Sequence, residues 1–74
     1  MSSERLPVVS GKDLVRVLSK FGYYVRAQRG SHITLKHPYQ KPVTVPNHPE
    51  VKRGLVLEII KTAGISREEL NDNL

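Results

Sequence analysis

The chain has no cysteine. Disulfides and thiolate metal sites are therefore excluded, and the fold has to rest on packing, as suits a reducing compartment. Long apolar runs are also missing. None approaches a membrane span, and the polar start Met1-Ser2-Ser3-Glu4-Arg5 is not followed by the apolar stretch of a signal peptide. The expectation is a soluble, cytoplasmic protein with no membrane association. There is no Walker loop, no Rossmann glycine pattern and no support for Ser/His/Asp catalysis. His32 and His37, at i, i+5, and His37 and His48 match no recurring ligand spacing, so neither a metal nor a small-molecule cofactor is expected. Repeats, linkers and low-complexity stretches are absent too. The 74 residues are thus expected to form a single domain, 1–74, with residues 1–6 as a flexible tail.

Positive charge is what the chain has in excess. Twelve Lys and Arg against seven Asp and Glu give a formal net charge of +5, with an isoelectric point near 9.9. A charge of this sign and density suggests a polyanionic partner, because neutralising phosphates releases counterions and drives association. Many small basic domains have no such partner, so charge alone decides nothing.

Ser10 has the character of a helix N-cap: Asp13 follows in the first turn, and Val9 can staple onto Leu14. The helix it opens is expected over about Gly11–Phe21, with Leu14, Val17, Leu18 and Phe21 on its apolar stripe and Gly22 as its stop. Tyr23–Gln28 and Ser31–His37 are short extended runs around Gly30, which predicts a β-hairpin; Pro42–Val45 predicts a third strand. A second helix is expected over about Arg53–Ala63, ended by Gly64. Ser66 and Glu69 then form a capping box for a short third helix, about Arg67–Asn73, with Ile65 stapled onto Leu70. The fold class is α+β in the order α-β-β-β-α-α. A three-stranded antiparallel sheet carries helices on one face only, because there is too little apolar surface to cover both.

Alternation along the strands assigns the faces. With Ile33 and Leu35 inward, His32, Thr34 and Lys36 face out. A two-residue hairpin loop would set Arg26 among the inward residues. A three-residue loop, Gln28–Gly30 with Gly30 left-handed, instead groups Tyr23, Val25 and Ala27 with Ile33 and Leu35. On that reading Tyr24 and Arg26 join the outer face, with Arg26 roughly opposite His32.

An imidazole on an open basic surface is a candidate general acid/base, since histidine exchanges protons near neutral pH. RNA cleavage without a metal needs that chemistry: a base takes the 2′-hydroxyl proton, the oxygen attacks phosphorus in line, and an acid protonates the leaving 5′-oxygen. An exposed strand histidine is also simply a polar residue on a wet face. Candidate RNA contacts are Tyr24, Arg26, Arg29, Ser31, Thr34, Lys36, Lys52 and Arg53, cations and hydroxyls for phosphate and a tyrosine to stack a base. Lys52 and Arg53 stand at the wrong end of the second helix for helix stability, as an anion pocket would require.

The blocks Ser10-Gly11-Lys12-Asp13-Leu14, Gly30-Ser31-His32, His37-Pro38, Val43-Thr44-Val45-Pro46-Asn47-His48 and Ile59-Ile60-Lys61-Thr62-Ala63-Gly64-Ile65-Ser66-Arg67-Glu68-Glu69 occur in this order. Together they resemble the HicA-type, or YcfA-like, toxins, small mRNA interferases of type II toxin–antitoxin systems. The resemblance implies a double-stranded-RNA-binding-domain-like fold and an endoribonuclease acting on mRNA through the residue matching His32. It also implies a HicB-like antitoxin that binds and blocks the active surface. Ile33 stands where many relatives have a second histidine, and Leu55 where a threonine is frequent. Two other functions remain open on the residues themselves: a non-catalytic double-stranded-RNA-binding module, and a protein-interaction domain with no affinity for RNA.

Overall fold

The computed structural model describes residues 7–74; the tail expected over residues 1–6 lies outside them. The elements are α1 (Gly11–Lys20), β1 (Tyr24–Arg29), β2 (His32–Lys36), β3 (Val43–Pro46), α2 (Arg53–Ala63) and α3 (Arg67–Asp72). This is the α-β-β-β-α-α order expected from the sequence. The sheet is antiparallel in the order β1-β2-β3.

Helix α1 begins with a full capping box. The Ser10 hydroxyl accepts from the Asp13 N–H at 3.0 Å, and the Ser10 N–H donates back to the Asp13 carboxylate at 3.2 Å. That N–H bond, then the Ser10 hydroxyl and the Arg16 guanidinium 3.0 Å away, hold the Asp13 carboxyl below the usual carboxylate range. The same reciprocal cap, Ser66 with Glu69, starts α3. Helix α2 lacks one: Lys52 makes no capping hydrogen bond through its side chain.

Leu14, Val17 and Leu18 of α1, Val56, Ile59 and Ile60 of α2 and Leu70 of α3 meet Ile33, Leu35, Val43 and Val45 in one core. Each large aliphatic side chain so buried contributes roughly 1.5–3 kcal/mol relative to exposure. Gly11 is the tightest point. A Cβ there would overlap the Pro46 carbonyl oxygen and lie 2.9 Å from Asn47 Cα, so α1 starts directly against the end of β3. Gly11 N–H donates to the His48 carbonyl at 2.9 Å, fastening the same junction.

The hairpin register differs from the expected one. Arg29 pairs with His32 across a turn of only Gly30 and Ser31, and Gly30 has φ 54° while among the described residues no non-glycine has positive φ. Those signs match a type II′ turn, which favours glycine first. The surplus residue sits in a β-bulge between Val25 and Ala27, where Arg26 has no counterpart on β2. A bulge inserts one residue and reverses the inside–outside parity beyond it. Val25 therefore keeps its expected inward side, across from Leu35, whereas Gln28 takes the inward place across from Ile33, and Ala27, expected inward, lies across from Thr34 on the outer side. Arg26 is neither buried nor opposite His32. A three-residue loop would keep the arginine out of the core; the bulge achieves that with the shorter turn. Val25 is inward by register yet 50% exposed.

Candidate nucleic-acid interface

Opposed residues of an antiparallel ladder share a face. The outer face therefore reads in rows: Arg29, His32 and Pro46; then Ala27, Thr34 and Thr44; then Tyr24 and Lys36. Tyr24, Arg29, His32, Thr44 and Lys36 are exposed and Thr34 is half-buried. Among the described residues no helix covers this side, whose long side chains stay exposed. Ser31 is half-buried in the turn, and its carbonyl accepts from the Asn47 N–H at 2.6 Å, which ties the turn to the end of β3 beside His32.

The His32 imidazole is exposed, and among the described residues nothing hydrogen bonds to it. Both ring nitrogens are open to a bound molecule. His37, five residues on, is the contrary case. Its Nδ1 accepts from the Tyr39 and Gln40 N–H groups at 2.9 and 3.1 Å, and its Nε2 donates to the Phe21 carbonyl at 2.9 Å. Its ring lies 4.8 Å from that of Tyr23. A ring accepting at Nδ1 and donating at Nε2 is fixed as one neutral tautomer. It joins the end of α1 to the loop after β2, with Gly22, at φ 98°, leaving room for it. Tyr23 continues the junction: its hydroxyl donates to the Lys41 carbonyl at 2.7 Å, and burial raises its pKa above the ordinary value.

The sequence-derived candidates therefore separate into groups. Tyr24, Arg29, His32, Thr34 and Lys36 share the outer face, with Ser31 at its end. Arg26 is exposed at the bulge, outside the ladder rows. Lys52 and Arg53 are exposed at the start of α2, a helix packed on β3, and lie outside the ladder rows. Thr44, opposite Thr34, was not singled out from the sequence, although the alternation Val43-Thr44-Val45 marks it as outward. Among the described residues no helix is long and apolar enough to cross a membrane.

The family model for the HicA toxin of bacterial toxin–antitoxin systems matches residues 11–65, most of the chain and every element that builds this face. The chain belongs to the HicA toxin family. It is thus the toxin component of such a system. A solved chain from a toxin–antitoxin complex of Streptococcus pneumoniae is similar in structure, with TM-score 0.70 and 28% identity, covering 77% of this HicA chain and 98% of that one. No curated protein matches the sequence.

Proposed function

We propose that this HicA toxin is an mRNA endoribonuclease in which His32 transfers the proton at the 2′-hydroxyl, and that a HicB-like antitoxin neutralises it in the cytoplasm. The observation that carries the reading is the His32 imidazole itself, without a hydrogen bond among the described residues and exposed on the outer sheet face with Arg29 directly across the ladder.

The residues divide the work as follows. A phosphodiester lying along the face meets Arg29, whose planar guanidinium suits the two non-bridging oxygens and the charge that builds on them during attack. His32 removes the 2′-hydroxyl proton as the oxygen attacks phosphorus. The P–O5′ bond breaks, a 2′,3′-cyclic phosphate forms, and the 5′-oxygen takes up a proton. Lys36 holds a neighbouring phosphate, Tyr24 stacks a base, and Ser31 and Thr34 offer hydroxyls to the ribose-phosphate chain. Arg26, Lys52 and Arg53 add attraction to a long polyanion from outside that row.

The Streptococcus neighbour is a toxin–antitoxin complex, and this supports an antitoxin partner here. The test is cleavage of mRNA by the wild type and by His32→Ala, with binding measured in parallel. Cleavage by the wild type alone, with both proteins binding RNA, is the expected result. Equal cleavage by both removes His32 from the chemistry. Salt-dependent binding without any product from either makes the protein an RNA-binding module instead.

A further inference from the structure

Val25 lies across from buried Leu35, on the side of the sheet that the helices cover, yet half of its surface is open. The reason is how the helical layer sits: α1 and α2 both pack over β3, and α1 supplies the main helical contact to β1. The inner face is therefore only partly roofed along β1. A cleft of about 330 Å³ opens there, with Val15 of α1, Val25 and Ile33 as its apolar lining and Lys12, Arg16 and Gln28 around it. It lies behind the sheet from His32, because Val25 and Gln28 oppose Leu35 and Ile33, and these alternate with His32 along the strands.

We propose that this cleft is a protein-docking site that takes a leucine or aromatic side chain from an acidic segment of the antitoxin. This rests on the antitoxin partnership proposed above and assigns it a surface separate from the RNA-facing one. The volume is at the lower end of small-ligand pockets and suits one large apolar side chain. Charge selects the rest of the segment. Lys12 and Arg16 flank the opening; Arg16 is paired with Asp13, so among the described residues Lys12 is the cation left for an incoming carboxylate. An acidic residue beside the anchor would meet Lys12, and the net charge of +5 would speed its approach. A second copy of the chain is disfavoured by that same charge. RNA is disfavoured because the lining offers no aromatic ring on which a base could stack. An antitoxin anchored here would hold the toxin from behind while another part of it covers the His32 face.

The experiment uses phage-displayed linear peptides selected on the wild type, followed by the co-expressed cognate antitoxin. Each is measured against Val25→Asp and Lys12→Glu, two substitutions at exposed positions. Selected peptides should carry leucine or an aromatic residue next to Asp or Glu and shift the amide signals of Val15, Val25 and Ile33. Peptides and antitoxin should each bind at least tenfold more weakly to both variants, while RNA cleavage by Val25→Asp equals that of the wild type. Undiminished antitoxin binding to Val25→Asp overturns the proposal, as do peptide shifts centred on His32 or an RNA oligonucleotide that shifts the cleft. A wild type that fails to cleave RNA defeats the nuclease reading and leaves these binding results standing, so the two failures are distinguishable.

Discussion

Arg29 and His32 face each other as the last pair of the β1–β2 ladder, separated in sequence by only the Gly30-Ser31 turn. The arginine and the histidine thereby leave the sheet side by side at one corner of the open face. In the proposed mechanism one binds the phosphate and the other moves the proton. His32→Ala should lower the cleavage rate by roughly 10²–10⁴-fold, the usual worth of a positioned acid/base, and leave RNA affinity within a few-fold. Arg29→Ala should slow cleavage more than Arg26→Ala, because Arg26 lies at the bulge and has no ladder partner. Single-turnover cleavage of a defined mRNA fragment measures all three, and equal effects of the two arginine variants would refute the assigned register.

Gly11 has no room for a side chain. Gly11→Ala should destabilise the fold by about 3 kcal/mol, the upper part of the range for overpacking, because the obstruction is the backbone of Pro46 and Asn47 and cannot rotate away. Urea unfolding checks this. Gly54→Ala is the control: a Cβ there meets nothing within 4 Å, and the variant should be no less stable than the wild type.

His37 holds the end of α1 to the loop after β2 through three hydrogen bonds. His37→Ala leaves those backbone groups without their partner and should cost about 1–3 kcal/mol in chemical denaturation. Cleavage per folded molecule should not change. The two histidine variants would then show opposite patterns, one losing activity and the other stability.

Asp13 gives a pH dependence of defined sign. Its carboxyl titrates below the ordinary 3.8 in the folded protein, first because of the Ser10 N–H, then the Ser10 hydroxyl and Arg16. A depressed folded-state value means the charged form is favoured on folding. Its contribution is fully present above the unfolded value and fades as pH falls through the folded one. The stability difference between wild type and Asp13→Asn, followed by thermal melting, should be constant near neutrality and shrink below about pH 4.

Local signals made most of this architecture readable in the sequence. Ser10 and Ser66 marked their helix starts, the Leu14, Val17 and Leu18 stripe predicted α1, and Ile33, Leu35, Val43 and Val45 fell inward. His32 was placed on the outer face by alternation alone. The pairing of β1 with β2 was not recoverable in the same way, because turn length and bulge compensate: a shorter turn with an inserted residue and a longer turn without one both keep Arg26 out of the core. The difference appears only at Ala27, Gln28 and Arg29, where no strongly apolar residue fixes the parity. Gly11 and His37 were hidden for another reason. Their roles depend on Pro46 and on Phe21, partners distant in sequence that no periodicity reports.

The brevity of the Gly30-Ser31 connection leaves no slack between the arginine and the imidazole it joins. Lengthening that corner by one amino acid would have to be taken up by sliding β1, undoing the compensation already made at the bulge, or by rotating His32 toward the helices. The outward placement of the imidazole thus rests on the two-residue turn and the bulge together, and a change in the length of either one alone would cost it.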